Sequence, residues 1–434
     1  MTDLTQSKLT GSGRRGLLKN FAQTLLEKRL TKIPLGTLYL KEKTEIDEIS
    51  EGDGGLKCFG QQTESCTVSA KIVIHDPSAY RDIAFGGSIG AAEAYMLGKW
   101  SSPNLVDLIR LMSININFLN GMDDSKPLTH RLFDKAYHWL NRNTSNKARQ
   151  NISAHYDLSN DFFALFLDPE MMYSSAMFSS TTHDQVEMGL DEAAVHKLDV
   201  ICQKLVLQPS DHLLEIGTGW GGMALHAAKH YGCRVTTTTI SKEQYETAKK
   251  RVSDAGLEDQ INVIFEDYRD LKGSFDKLVS IEMIEAVGHE FYQQYFNCCA
   301  TLLKPDGLML IQAITIPDQR YQYARSSVDF IQRYIFPGGS LPGHEVMMSS
   351  VRQHTDLQMV GMEEIGLDYA KTLAVWRQRF LAKLDEVKAL GFDDVFIRMW
   401  EYYLCYCQGA FEERVIGTSQ ILFAKPDWRP RSAA

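Results

Sequence analysis

The strongest chemical signal in the chain is Glu215-Ile216-Gly217-Thr218-Gly219-Trp220-Gly221-Gly222, which follows an apolar run. Glycines at this spacing let the backbone turn sharply and approach a ligand with no Cβ in the way. Gly217, Gly219 and Gly222 also fall at the GxGxxG spacing of dinucleotide sites, and the acid two positions before the first glycine sets this run apart. A carboxylate there repels a pyrophosphate and suits an amino-acid ammonium. Two later segments supply polar groups. Thr239-Ile240-Ser241-Lys242-Glu243-Gln244 offers hydroxyl and amide groups to a ribose, and Glu266-Asp267-Tyr268-Arg269-Asp270 an acceptor for an adenine amino group. Each alone is an ordinary strand end or helix cap. Together, in order, they read as an S-adenosylmethionine site.

Those segments need strand tips to hold them. A helical run at 192–206 leads to an apolar strand at 212–217, a helix at 221–231, a strand at 234–240 and a helix at 242–254. Strands at 261–265, 277–282 and 308–314 follow, with a helix at 290–302 before the last. Alternating strands and helices predict a parallel sheet with helices on both faces, binding its ligand at the carboxyl ends of the strands. The first part of the chain has a different texture. Residues 13–31 place Leu17, Leu18, Phe21, Leu25 and Leu26 at helical spacing, and 37–76 suggest a small antiparallel sheet. A glycine loop running into a helix follows at 85–100, then a helix at 105–118. The expected division is an α+β domain over 1–140, a polar linker over 141–150 and an α/β catalytic domain over 151–430.

The 434 residues, 44% hydrophobic and 23% charged, suffice for two buried cores. The net charge of -9 argues against nucleic acid as a partner. The start of the chain is basic, with Lys8, Arg14, Arg15, Lys19, Lys28, Arg29, Lys32, Lys41 and Lys43, which suits anionic lipid headgroups as well as a solvated helix face. No apolar stretch reaches membrane-spanning length and the N-terminus lacks signal-peptide features, so a cytoplasmic location is expected. Eight cysteines without a CxxC pair read as reduced thiols, and no cluster has metal-ligand spacing.

Several long motifs carry a resemblance: FGGSIGAAEAYMLGKW, AHYDLSNDFFALFLDPEMMYSSAMF, LEIGTGWGG, TTISKEQ, EDYRDL, IEMIEAVGHEFYQQYF, RYIFPGGSLP and LDYAKTLAVWRQRF. Over roughly 80–425 the chain resembles the cyclopropane-fatty-acyl-phospholipid synthases, a family that includes the mycolic acid cyclopropane synthases. IEAVGHEF, IQAITIPDQRY and RSSVDFIQRYIFPGG are similar to its plant-type branch. The resemblance implies a Rossmann-like class I methyltransferase domain with a helical acyl-binding cover, preceded by a smaller lipid-contacting domain. It implies cofactor contacts at Tyr173, Ser174, Gly217, Gly219, Thr239, Gln244, Asp267 and Tyr268, and a bicarbonate ion held by Ser175, Glu285, Gln312, Ile314 and Tyr369. The family suggests a dimer. Three positions depart from its usual pattern: Ser175 stands where cysteine is common, Gln312 where histidine often stands, and Ala286 follows Glu285.

The implied reaction is methyl transfer to the double bond of an unsaturated phospholipid acyl chain, then ring closure as a base removes a proton from the new methyl. An alkene attacking a sulfonium methyl becomes cationic, so the site must be dry and favourable to positive charge. The aromatic faces of Tyr173, Phe178, Tyr369, Phe330, Tyr334 and Phe336 are candidates for that task, or plain core. Bicarbonate is the implied base, oriented by Glu285 and Tyr369; Glu285 itself is the other candidate if burial raises its pKa. His155 is a candidate for ordering an active-site lid or a structural histidine. A helix over 325–339 is expected to line the acyl tunnel, with Arg325 or Arg333 near a phosphate or on its outer face. Two rival readings stay open: the same substrate with a methyl-branched or otherwise modified product, and a small-molecule amine methyltransferase. The enzyme is expected to sit peripherally on the inner membrane face.

Overall fold

The computed structural model describes residues 11–42, 56–64, 66–117, 158–179 and 188–430, with side chains from residue 20 onward. His155 and the expected linker at 141–150 lie outside the described residues. The chain divides into two compact units, residues 1–126 with 391–413, and residues 127–390 with 414–434.

In the first unit, β1 (Gly36–Glu42), β2 (Lys57–Gln61), β3 (Ser69–Ile74) and β4 (Trp100–Ser101) form one sheet in the order β2-β1-β3-β4. The antiparallel expectation is corrected here: β1 and β3 run parallel, Thr37 opposite Ser69, because β2 occupies the other edge of β1. The glycines at 86, 87 and 90 lie inside the helix Ser78–Met96, which kinks at Gly87 (φ 59°), and do not form a loop before it. The helix expected to reach 118 ends at Ile114, where the Asn115 side chain donates to the carbonyls of Leu111 and Leu35. In the helix Gly11–Leu30, Ala22 and Leu26 are buried, whereas Phe21 is 60% exposed.

Residues 391–413 were expected to continue the catalytic domain, but the helix Asp394–Glu412 packs into the first unit. A Cβ on its Gly409 would stand 2.9 Å from Ile109 Cγ2, so only glycine allows that approach. Arg398 lies 4.1 Å above the Tyr95 ring and donates to the Trp100 carbonyl, while Arg110 Nε donates to Glu413 at 2.7 Å.

The second unit is built on a seven-stranded sheet of β5 (His212–Ile216), β6 (Arg234–Thr239), β7 (Ile261–Phe265), β8 (Phe275–Ile281), β9 (Leu303–Thr315), β10 (Gln358–Glu364) and β11 (Gly417–Ala424), ordered β10-β11-β9-β8-β5-β6-β7. The five strands from β9 to β7 are mutually parallel, as alternation with helices requires. Two further strands, not expected from the sequence, extend one edge, where β11 runs antiparallel to β9 and β10 to β11. Both faces are covered. Leu308 through Ile311 are at most 1% exposed, each such side chain contributing about 1.5–3 kcal/mol. The helix expected over 325–339 is broken: one helix spans Asp318–Ser326, and a separate π-helical turn spans Ile331–Ile335. Asp329 and Gln332 restart the chain reciprocally, each side chain accepting from the other's backbone N–H.

Candidate active site

β5 delivers the glycine turn to the carboxyl edge of the sheet. The backbone N–H groups of Gly217 and Thr218 both donate to the Thr238 carbonyl at 3.0 Å, which pins the turn to β6. Gly217 and Gly219 have φ of 100° and 52°, left-handed values that L side chains adopt only at a cost. A Cβ built on Gly219 meets nothing within 4 Å, so backbone there faces open space.

Glu215, 2% exposed, lies just before that turn. Burial pushes its pKa up to about 8 against a hydrogen bond from Thr237 and the charge of Lys197. Its Oε2 has no hydrogen-bond partner among the described residues. A buried acceptor with no partner is costly, so this one is suited to an incoming cationic donor. Those features fit S-adenosylmethionine, whose methionyl ammonium needs a carboxylate beside a side-chain-free turn.

At the end of β6, Thr239 Oγ1 donates to Gln244 Oε1 at 2.9 Å and accepts from Ser241 N, while Ser241 caps the helix Lys242–Asp254. Ile240 lies between them, partly buried. After β7, both oxygens of Asp267 are engaged by Arg269, at 2.8 and 2.6 Å, and the Tyr268 ring packs edge-on against Tyr295. Asp267 therefore presents a fixed carboxylate.

A second cluster forms at the tips of β8 and β9. Glu282 Oε1 accepts from Ser175 N at 2.9 Å and from Gln312 Nε2 at 2.8 Å; its Oε2 accepts from the Tyr369 hydroxyl at 2.7 Å. Removal from water pushes its pKa up, opposed by these three donors and by Lys197. Glu285 Oε1 accepts from Ile314 N, and its buried Oε2 has no partner among the described residues. Burial, then the nearby charge of Glu282, raises the Glu285 pKa to about 8. Burial thus pushes both carboxyls of the pair up, and the three donors gathered on Glu282 favour the charged form there rather than on Glu285.

The five positions expected to hold bicarbonate are brought together, but three of them are already committed to a side chain and Ile314 N to Glu285. Ser175, Gln312 and Tyr369 all donate to Glu282, so the donor set does not fit a separate bicarbonate ion as it stands. Ser174 Oγ accepts from Lys197 Nζ at 2.9 Å, and Ser175 Oγ donates to the Ala176 carbonyl.

Rings form one wall. Tyr173 stacks on Trp376 at 5.4 Å and lies 6.4 Å from Phe336, while Tyr369 meets Trp376 edge-on at 6.1 Å. Phe330 and Tyr334 pair with each other, and Phe178 packs under the Lys371 ammonium.

Sequence reasoning missed Glu282, Lys197, Gln420 and Trp376. Lys197 had a readable signal: it shares a helical face with Ala193 and Ile201, and all three are fully buried. Its charge acts on Glu282, Asp168 and Glu215, and burial lowers its pKa to about 8. Glu282 had a weaker one, an acid three positions before Glu285.

The model of the mycolic acid cyclopropane synthetase family matches residues 143–421. Tuberculostearic acid methyltransferase UfaA1 of Mycobacterium tuberculosis is 38% identical over 80% of this chain and 82% of its own length. The cyclopropane-fatty-acyl-phospholipid synthase of Escherichia coli is 35% identical over 82% of this chain and 88% of its own. Among solved structures, mycolic acid cyclopropane synthase CmaA1 complexed with SAH and CTAB is 32% identical, covers 64% of this chain and 98% of its own, and superposes with a TM-score of 0.59. The sheet order, the glycine turn below an orphaned carboxylate and these likenesses agree: the chain is an S-adenosylmethionine-dependent methyltransferase that belongs to the mycolic acid cyclopropane synthetase family.

Proposed function

We propose that the enzyme methylates the cis double bond of an unsaturated phospholipid acyl chain and closes the product to a cyclopropane. Glu215, Gly217, Gly219, Thr239, Ile240, Gln244, Asp267 and Tyr268, with Tyr173 and Ser174 opposite, would hold the cofactor. When bound, S-adenosylmethionine supplies an electrophilic methyl group at this edge of the sheet. The chain's own task is then to exclude water, align the olefin and stabilise the positive charge it acquires.

The observation that carries this reading is the double duty of Tyr369. Its hydroxyl donates to the Glu282 carboxyl at 2.7 Å, while its ring meets Trp376 edge-on at 6.1 Å. Aromatic faces beside a carboxyl group favour a transient carbocation. An amine acceptor becomes an ammonium that sheds its own N–H proton, so it needs no base placed to take a proton from carbon.

A second reading concerns the product. After a 1,2-hydride shift moves the charge to the methyl-bearing carbon, loss of a proton from that methyl leaves a methylene-branched chain, a precursor of methyl-branched lipids. The likeness to a tuberculostearic acid methyltransferase favours it, as does Gln312, which cannot titrate. The partner surface in either case is a membrane carrying the lipid, reached peripherally from its cytoplasmic face, with a homodimer as the working assembly. Among the described residues no helix is long and apolar enough to cross a membrane.

Methyl-labelled S-adenosylmethionine offered with unsaturated vesicles, saturated vesicles and soluble phosphoethanolamine tests the acceptor. Label should enter the unsaturated lipid alone; label in phosphoethanolamine with none in lipid would favour the amine reading.

A further inference from the structure

Resting on the acyl-methylation reading, we infer that Glu282 is the resident anion of the active site and the group that takes the proton, in the place where the resemblance puts a bicarbonate ion. Three donors from distant parts of the chain converge on it: the Ser175 N–H, the Gln312 amide and the Tyr369 hydroxyl. Backbone N–H, side-chain amide and phenol together make a receptor for a planar, two-oxygen anion, and Glu282 fills it covalently.

The backbone is bent to achieve this. Glu282 has φ 48°, in the left-handed region, at the point where β8 gives way to the Ile284–Ala286 turn. Its N–H donates to the Gln312 carbonyl at 2.7 Å, so main chain and side chain of one residue contact main chain and side chain of the other. A residue without a side chain would meet that backbone demand more easily. The carboxylate is therefore kept against a local conformational cost, which is expected where a side chain has work at a site.

The direction of the Gln312 amide is imposed from outside. Lys204 Nζ, which can only donate, gives a hydrogen bond to Gln420 Oε1 at 2.6 Å. Gln420 Nε2 then donates to Gln312 Oε1 at 2.9 Å, and Gln312 Nε2 is left to donate to Glu282. The relay is polarised toward an acceptor and matches a permanent carboxylate.

In the proton step a C–H bond of the transferred methyl breaks, and its electron pair forms the ring-closing bond to the cationic carbon. The proton passes to a Glu282 oxygen, and from there to solvent between turnovers. No oxidant, reductant or free anion enters the balance.

The test compares wild type with Glu282→Gly and Glu282→Gln in carbon-dioxide-free buffer and after bicarbonate addition, alongside a binding titration with isotopically labelled bicarbonate. Wild type should methylate unsaturated vesicles at the same rate in both buffers and bind no bicarbonate. Glu282→Gly should fold at least as well, lose about a hundredfold or more in rate, as expected for removal of a general base, bind bicarbonate and regain activity with it. Glu282→Gln should lose activity without rescue. Wild type that binds bicarbonate or depends on it, or Glu282→Gly that keeps the wild-type rate without it, would overturn the inference. Bicarbonate binding by the glycine variant alone would uphold it even if no unsaturated lipid were ever methylated, and that failure would fall on the proposed function instead.

Discussion

Gln420 and Gln312 face each other at paired positions of β11 and β9, joined by a 2.9 Å hydrogen bond in which Gln420 donates. That contact, lying one residue away from the reacting edge, fixes which end of the Gln312 amide meets Glu282. An antiparallel edge strand thereby sets the electrostatics of a site formed at the tips of parallel ones.

Gln420→Leu should therefore lower kcat by about 10- to 100-fold, the range for one hydrogen bond to a charged group. The KM for S-adenosylmethionine should stay unchanged, since Gln420 lies on the opposite side of β8 from the glycine turn. Gln312→Leu should cost a similar factor, and the double variant little more than either alone. Full additivity in that cycle would show that the two glutamines act separately.

Stability should depend on pH in a specific direction. Glu215 and Glu285 are raised from 4.5 to about 8, and Asp168 from 3.8 to about 6, in each case first by burial. A raised carboxylate contributes stability that is complete below its unfolded pKa and lost as pH climbs through the folded one. Lys197, lowered from 10.5 to about 8, works the other way, with stability regained between about 8 and 10.5. The Tm should fall from pH 5 to pH 8 and then level or recover. Glu285→Gln should flatten the decline and leave cofactor affinity nearly intact; an unaltered slope would place the titration elsewhere.

Two glycines of one turn should respond differently to alanine. Gly219→Ala adds a methyl group to open space at φ 52°, costing roughly 1–2 kcal/mol of strain, and should weaken S-adenosylmethionine binding with the fold retained. Gly222→Ala would place a Cβ 2.7 Å from the Glu170 carbonyl, so it should lower the Tm and the yield of folded protein. Calorimetry of cofactor binding beside thermal melts separates the two cases.

Much of this fold was readable. Buried strands between amphipathic helices gave the parallel core of the sheet, and the acid before the glycines gave the cofactor edge. β10 was not readable, because its residues are mostly exposed and show no two-residue alternation. Without β10 and β11, nothing marked Gln420 as facing Gln312. Glu282 was passed over as the last residue of a strand; its meaning depends on Ser175, Gln312 and Tyr369, which lie 107, 30 and 87 residues away. Asp267 was correctly placed after β7, but its pairing with Arg269 two positions on is a local choice that spacing alone does not dictate.

The basic helix Gly11–Leu30 is the proposed contact with anionic lipid. Removing residues 1–32 should reduce co-sedimentation with anionic vesicles, more at low than at high ionic strength, because Debye screening weakens the contact in salt. Unchanged sedimentation would assign the helix to packing.

The central claim is that a carbon–carbon double bond in an acyl chain receives the methyl carbon. Its most direct test is nuclear magnetic resonance of lipid extracted after incubation with methyl-labelled S-adenosylmethionine and monounsaturated phospholipid vesicles. The account predicts the labelled carbon as a ring methylene with the olefinic protons gone. Labelled carbon on nitrogen or oxygen, with every olefin intact, would contradict it.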